Sequence, residues 1–541
     1  MNVLQRISRL LMIADYHIED EFALEYDMIL INPPVAKASE PPAGLASLSG
    51  ALNHHGIRHV VLDANLEGLH FLINSSPWNR VERPDAWTAR ALRNVERNIS
   101  ALKQWEIYKS IAKYNRAVID INRVIEKSTV IADVTVGLAN YQHAQLSPLK
   151  SGDLLFAAEN PENNPFFSYF NKRLPRLIEE KQPAIIGLSI SFLSQALCAF
   201  AMLGFLKRLS PNTKLICGGG LITSWLKGPG RDGRLQQLFA GLVDYFVEGP
   251  GERELLRLAG INVDGDLTCS PDYEFTDPCE YLSPGGVLPY SSSSGCFWNK
   301  CSFCPENAEG NSYIPVNIDK ARADISSLVE KTKPTLMHLL DNSISPLLMR
   351  SLIDNPPGVH WYGFARIYRD LIDMDFCAAL KKSGCVMLKL GVESGDQSVL
   401  DRMQKGIDLQ TVSAALKSLH ASGISTYVYL LFGTPYENLT SARSTLEFTE
   451  THSSEISFLN VALFNLPVSS SAAKSVRTKS FYEGDLTLYT DFEHPDGWSR
   501  MAVRQFIEGE FKRNPSVADI LKREPRFFTS NHAAFFVMHR L

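Results

Sequence analysis

Short apolar runs recur along this chain, spaced so that one helix fits between most neighbours. Residues 28–31, 59–63, 184–190, 214–217 and 243–247 are apolar segments bounded by glycine, proline or small polar residues. Such segments suit parallel strands buried on both faces. Residues 44–55 and 195–209 read as helices between them. This alternation predicts a doubly wound, Rossmann-like α/β domain over residues 26–270. A second series begins after residue 271, with strand candidates at 287–290, 336–340, 361–364, 386–391, 425–432 and 457–463. Six βα-type repeats are too few for an eight-fold barrel. They predict a partial (β/α)6 barrel over residues 271–480.

Two stretches break the alternation. Residues 75–180 read as a helical insertion, because Leu92, Val95, Ile99 and Leu102 share one helical face. Ile111, Tyr114, Val118, Ile121 and Ile125 share another. Residues 80–127 carry eleven Lys/Arg against six Asp/Glu, which a solvated face of a helical hairpin explains better than an RNA or acidic-ligand patch. Residues 481–541 read as a mainly helical tail, with 502–511 its clearest helix. At the other end, residues 1–25 read as a helical arm. Its apolar run is short and is followed by Asp15, Glu19, Asp20 and Glu21, so it suits a docking helix better than a signal peptide.

Bulk composition narrows the classes. A chain of 541 residues has room for two to four domains, each with its own core. No apolar run approaches membrane-spanning length, so no membrane span is expected. A net charge of −5 speaks against a nucleic-acid-binding protein, which needs clustered positive charge. The expected compartment is the cytoplasm. Nine cysteines is an odd count, and none precedes residue 198, so a disulfide framework is not expected. Cys198, Cys217, Cys269, Cys279, Cys377 and Cys385 are scattered and read as small buried residues.

The other three cysteines are concentrated. Cys296, Cys301 and Cys304 lie in the single loop Gly295-Cys296-Phe297-Trp298-Asn299-Lys300-Cys301-Ser302-Phe303-Cys304, which follows the first strand of the second series. Three thiolates can hold three irons of a cubane cluster and leave the fourth iron open to a ligand. A structural zinc site is the competing reading, although it wants four ligands and the next histidine downstream is His338. Polar residues stand at the expected carboxyl ends of the later strands: Asp341, Arg366, Glu393 with Ser394, and Gly433. In α/β barrels, that end is where chemistry gathers. These groups can hydrogen-bond amino, carboxylate and ribose groups, and Phe303 can pack on an adenine ring. In the first domain, Asn32, Pro33, Ser189, Gly218, Gly219, Gly249 and Glu252 also fall at strand ends, where doubly wound sheets bind ligands.

The cysteine loop, taken with Gly391-Val392-Glu393-Ser394-Gly395, Lys405-Gly406 and Leu431-Phe432-Gly433-Thr434-Pro435, resembles the cobalamin-binding class of radical S-adenosylmethionine (SAM) enzymes. Asn32-Pro33-Pro34, Gly187-Leu188-Ser189, Gly218-Gly219-Gly220 and Glu248-Gly249-Pro250-Gly251-Glu252 resemble the cobalamin-binding module of that class. The usual spacing has three residues between the first two cysteines, and here there are four. The resemblance implies a 4Fe-4S cluster on Cys296, Cys301 and Cys304, with SAM held in part by Glu393. It implies cobalamin as a second cofactor, bound without histidine ligation through an Asp-x-His-x-x-Gly motif, which the chain lacks. SAM cleavage to a 5′-deoxyadenosyl radical and methylation of an unactivated carbon of a small molecule or peptide would follow. An external electron donor such as flavodoxin or ferredoxin is the implied partner. Rearrangement or cyclisation on the same scaffold, with or without cobalamin, remains open, as does a non-catalytic iron–sulfur or zinc protein.

Overall fold

The structure is a computed structural model that describes residues 28–74, 84–129, 133–265, 267, 269–526 and 532–537. The expected N-terminal arm lies outside the described residues, as does the start of the insertion at 75–83. Met28–Ile31, His59–Leu62, Ile185–Ser189, Lys214–Gly218 and Tyr245–Phe246 form one parallel sheet in the order second, first, third, fourth, fifth. All the strands of this sheet run parallel because each connection is a crossover, most of them carrying helices that cover the faces. Buried aliphatic side chains on both faces, such as Ile29 and Ile31 on one and Met28 and Leu30 on the other, account for the unbroken apolar runs. The switch in strand order between the first and third strands opens a crevice at their carboxyl ends.

The second sheet contains Val287–Tyr290, Leu336–Leu339, His360–Ala365, Cys385–Glu393, Ser425–Phe432 and Phe458–Leu463, six parallel strands in sequence order. One of its faces packs on helices through a core that includes Leu288, Met337, Trp361, Leu388, Val428 and Leu459. Its other face carries Val287, Leu336, Tyr362, Met387, Tyr427 and Phe458. The amino-terminal half of this inner face is filled by residues 532–537. His532 stacks on Tyr427 at 4.6 Å, and Phe535 meets Tyr108 and Tyr114 at 5.2 and 5.1 Å. The insertion therefore serves the second sheet through its aromatic residues.

The insertion contains the helices Ala86–Leu102, Ile111–Ser128, Ser151–Glu159 and Phe167–Lys181. Val95, Leu102, Tyr114, Val118, Ile121 and Ile125 are buried as their spacing predicts, and Leu92 and Ile99 pack beside them. It also contains a small antiparallel hairpin, Val134–Val136 with Tyr141–His143. The tail differs more. Leu466–Pro467, Thr478–Lys479 and Tyr489–Phe492 form a small antiparallel sheet that straddles residue 480, and helices dominate only from Arg500–Phe506 onward. That sheet reaches the insertion: Ser151 donates to Asp485 at 2.8 and 2.6 Å, and Leu486 N–H donates to the Leu149 carbonyl at 2.9 Å.

Cys198, Cys217, Cys377 and Cys385 are buried, as expected. Cys279 is exposed on the short turn Pro278–Glu280, and Cys269 is only half-buried, so those two depart from the expectation. Both lie in the connection between the two sheets, where no strand or long helix draws the chain inward. Among the described residues no helix is long and apolar enough to cross a membrane.

Candidate functional site

The cysteine loop is built from both ends. Gly295 sits at φ +70, and a Cβ there would drive into the Ser312 backbone, so the turn into Cys296 requires glycine. Just before it, the buried Asp341 carboxylate accepts from Ser292 N–H at 3.1 Å, Ser292 Oγ at 2.6 Å and Ser293 Oγ at 2.5 Å. Asp341, expected as a cofactor contact, thus anchors the start of the loop with both of its oxygens. At the far end, Cys304 precedes the short helical turn Pro305–Ala308. In the middle, Ser302 N–H donates to the Met403 carbonyl at 3.0 Å, and Trp298 Nε1 donates to the Gln404 carbonyl at 3.1 Å. The loop is tied to the connection after the fourth strand of its sheet.

The three thiols are half-buried, and Cys301 interacts electrostatically with both Cys296 and Cys304. Burial raises the Cys301 thiol, while the nearby Lys405 and Arg366 cations pull it down. Burial pushes Cys304 up to about 11. A metal that binds these groups must displace protons, so loading is coupled to proton release. Among the described residues no three His, Cys, Asp or Glu side chains converge on one point that could hold a single ion. A cubane cluster requires one thiolate on each of three separate irons. Three thiols in one loop are the donor set of a cluster that leaves one iron open.

Glu393, at the end of the fourth strand, adopts φ +68 after a register shift between Gly391 and Glu393. The kink folds its carboxylate back over Gly391, where a Cβ would collide with Glu393 Oε1 and Lys405 Nζ. Lys405 Nζ pairs with Glu393 Oε1 and hangs over the Phe303 ring at 5.6 Å. Phe303 also packs partly against Phe464, Leu466 and Ala472. Glu393, Phe303 and Cys301 therefore share one neighbourhood, with Lys405 among them. Lys405 was not singled out as a site residue, although the Lys405-Gly406 pair was part of the resemblance.

Arg366 Nη2 donates to the Lys405 carbonyl and, at 2.8 Å, to the Gly406 carbonyl. Its guanidinium lies 3.8 Å from the Trp298 ring centroid. Ser394 is fully buried and bonds Thr445 Oγ1 at 3.2 Å, so it braces the strand end from below. Gly433, at φ +82, donates its N–H to Glu437 Oε2 at 2.5 Å. Glu437 also accepts from Trp498 Nε1 at 2.9 Å, and burial raises its carboxyl to about 7.

Deeper on the inner face of the sheet, sequence reasoning missed a charged triad. His338 stacks on Tyr362 at 4.4 Å and lies 3.0 Å from Glu40, which comes from the loop after the first strand of the other sheet. Lys389 Nζ lies 2.9 Å from His338 Nε2 and 4.5 Å from the Phe364 ring centroid. With Nδ1–H donated to the carboxylate, Nε2 is left to accept from the lysine. Burial, helped by Lys37, lowers Lys389 to about 7, and burial lowers His338 to about 4. The detectable signal was a lone lysine inside the apolar strand Cys385–Glu393.

In the first domain, Ser189, Gly218, Gly219, Gly249 and Glu252 line one cleft of about 160 Å3, together with Leu30, Gly44 and Leu48. Burial raises the Glu252 carboxyl. A Cβ at Gly44 or Gly249 would meet no atom within 4 Å, so side chains there would occupy the cleft. Gly219 differs, because a Cβ there would strike the Ile190 backbone at 2.7–2.9 Å. Its glycine is required by strand packing. The structure does not bring Asn32 and Pro33 into this cleft. Asn32 donates to Asp63 at 2.9 Å and accepts from Gln195 at 3.0 Å, and the Pro33 carbonyl accepts from Gln195 at 2.8 Å. These bonds fix the strand end from within. The cleft suits an apolar ring, which Gly44 and Gly249 let approach the backbone.

The overall fold resembles that of solved structures. The methyltransferase TsrM of Kitasatospora setae, solved with cobalamin and a 4Fe-4S cluster bound, superposes with a TM-score of 0.50 at 14% identity, over 83% of this chain and 77% of that one. OxsB, solved with aqua-cobalamin and SAM bound, gives 0.55 at 14% identity, over 90% and 67%. This chain shares the fold of these two solved enzymes. Among curated proteins, a bacteriochlorophyllide d C-12(1)-methyltransferase of Chlorobaculum tepidum is 29% identical over 189 residues, covering 33% of this chain and 41% of the relative. An uncharacterized methyltransferase of Pyrococcus horikoshii is 21% identical over 312 residues, covering 51% and 66%. The chain thus aligns with less than two thirds of each of these relatives. No protein-family model matches it.

Proposed function

We propose that this chain is a cobalamin-dependent radical SAM methyltransferase that acts on an unactivated carbon of a small molecule or peptide. The observation that carries the reading is the joint position of three electrostatically coupled thiols and the Glu393 carboxylate. They are bridged by Lys405 at the carboxyl ends of parallel strands. Cys296, Cys301 and Cys304 would hold the cluster, and Glu393 would accept hydrogen bonds from the SAM ammonium or ribose. Together, a bound cluster, SAM and methylcobalamin supply radical generation and a transferable methyl group. Reduction would fall to an external one-electron donor such as flavodoxin or ferredoxin. The protein's part is to position these groups and exclude water.

The glycine cleft supports the cobalamin part of the reading. At about 160 Å3 it is smaller than a complete small-molecule site of about 300–1,000 Å3. It therefore suits the flat nucleotide tail of a large cofactor whose remainder lies outside it.

Anaerobic reconstitution tests the proposal. Expected are iron and sulfide at cluster stoichiometry, corrin absorption after incubation with cobalamin, and 5′-deoxyadenosine or S-adenosylhomocysteine released from SAM. Iron without sulfide, or zinc retained by all three cysteines, would overturn the cluster assignment. A full cluster with no corrin uptake would leave a cobalamin-free radical SAM enzyme.

A further inference from the structure

Arg366 is a half-buried cation beside the cysteine loop. Among the described residues it forms no salt bridge, and its guanidinium donates to the carbonyls of Lys405 and Gly406. Partial burial works against its charge, and the sulfurs of Cys301 and Cys296 favour it, with Cys301 in hydrogen-bonding relation to the guanidinium. Lys405 also approaches Cys301, but its charge is already matched by Glu393. A half-buried cation with no carboxylate partner is stabilised by a nearby anion. Thiolates on a bound cluster would supply that partner.

The geometry is held by the segment that lengthens the loop between the first two cysteines. Trp298 and Lys300 stand in the four-residue interval from Cys296 to Cys301. The Trp298 ring is flanked by Arg366 at 3.8 Å and by Lys300 at 5.0 Å. Gly406, at φ +64, lies so close to this ring that any Cβ would penetrate it. The indole also bonds the Gln404 carbonyl at 3.1 Å. Trp298 thus fixes the guanidinium against the sulfur side of the loop.

Resting on the cluster reading above, we infer that Arg366, held in place by Trp298, sets the reduction potential of the cluster. Cluster potentials respond to net charge and to hydrogen bonds on the sulfurs. Each added electron raises the negative charge facing the guanidinium, so Arg366 stabilises the reduced form.

The test is an anaerobic redox titration of the reconstituted full chain, followed by electron paramagnetic resonance. In Arg366→Gln the ratio of reduced to oxidised cluster at a fixed poise should fall about tenfold, a downward shift of about 59 mV for one electron. Arg366→Lys keeps the charge and should stay close to the parent. Trp298→Leu keeps the arginine but frees it, and should shift in the same direction as Arg366→Gln by a smaller amount. Full cluster content with an unchanged potential in Arg366→Gln would overturn the inference and leave the proposed function standing. If Arg366→Gln assembles no cluster, Trp298→Leu decides, and an unchanged potential there overturns the inference equally. Failure of the parent itself to assemble a cluster would overturn both.

Discussion

Lys405 Nζ lies 2.8 Å from Glu393 Oε1, and both side chains are nearly buried. The pair has two consequences that experiment can separate. As a structural ion pair, it should make either single substitution destabilising, because an uncompensated charge is left behind. As part of a SAM site, only Glu393 presents an acceptor for an incoming ammonium or hydroxyl. Glu393→Gln keeps the size and removes the charge. A lost hydrogen bond to a charged group is worth about 1.5–3 kcal/mol, so SAM affinity should fall roughly tenfold or more with the cluster spectrum retained. Equilibrium SAM titration of the reconstituted variant checks this, and parental affinity and cleavage would remove Glu393 from the site.

Cys301 is the cysteine on which the two neighbouring cations converge. Cys301→Ala should therefore lose most cluster iron and sulfide, and with them SAM cleavage. The first sheet has its own apolar core, so corrin uptake should survive in this variant. Iron, sulfide and corrin measured on the same preparation settle the point, and a normal cluster would refute the ligand assignment.

Gly44 offers the cleanest probe of the cleft. It lies in the first turn of the helix Ala43–His54, and its backbone needs no positive φ. A Cβ there meets no atom within 4 Å, so an added side chain starts in open space at the lining of the cleft. Gly44→Phe should weaken corrin binding at least tenfold and leave iron content and thermal midpoint near those of the parent. Unchanged corrin affinity would mean that the cleft does not receive the cofactor.

The buried triad gives a pH signature. Burial lowers Lys389 from 10.5 to about 7, so between those values the unfolded chain binds more protons than the folded one. Unfolding free energy then rises with pH across that window. His338, lowered from 6.5 to about 4, has the same sign between about pH 4 and 6.5. Glu40 is held well below the usual carboxylate range because His338 and Lys37 outweigh its burial, and its contribution is lost as pH falls. Urea midpoints at constant ionic strength should rise in two steps. Lys389→Met should flatten the upper one, and a parent midpoint that does not change from pH 7 to 10 would refute this assignment.

Strand identity was legible because both sheets are covered on two faces, which writes runs such as Met28–Ile31 and residues 427–432 in continuous apolar or aromatic residues. The cysteine loop was legible because its ligands are close in sequence. What escaped was long-range pairing between charged side chains. Glu40 and His338 are 298 residues apart, and nothing local marks either one. Lys389 broke the apolar pattern of its own strand, yet only the fold supplies the histidine that accepts from it. Asn32 and Asp341 looked like ligand contacts because they are polar residues at strand ends. Their side chains are instead committed to Asp63, Gln195, Ser292 and Ser293. A polar strand end marks where a site can form, but the hydrogen bonds its neighbours offer decide whether it stays free.

Residues 532–537 fill the inner face of the second sheet beside Trp105, with Phe535 seated on Tyr108 and Tyr114. A segment from the insertion and one more than 400 positions later thus complete a single aromatic core. During synthesis, this core cannot close until residue 537 has left the ribosome. Until then the inner face of the six-stranded sheet stays open to solvent and to other nascent chains. Hydrophobic surface left exposed in this way makes a nascent chain prone to aggregation. Chains cut after residue 526 should accumulate as aggregates even though every cysteine and both sheets are present.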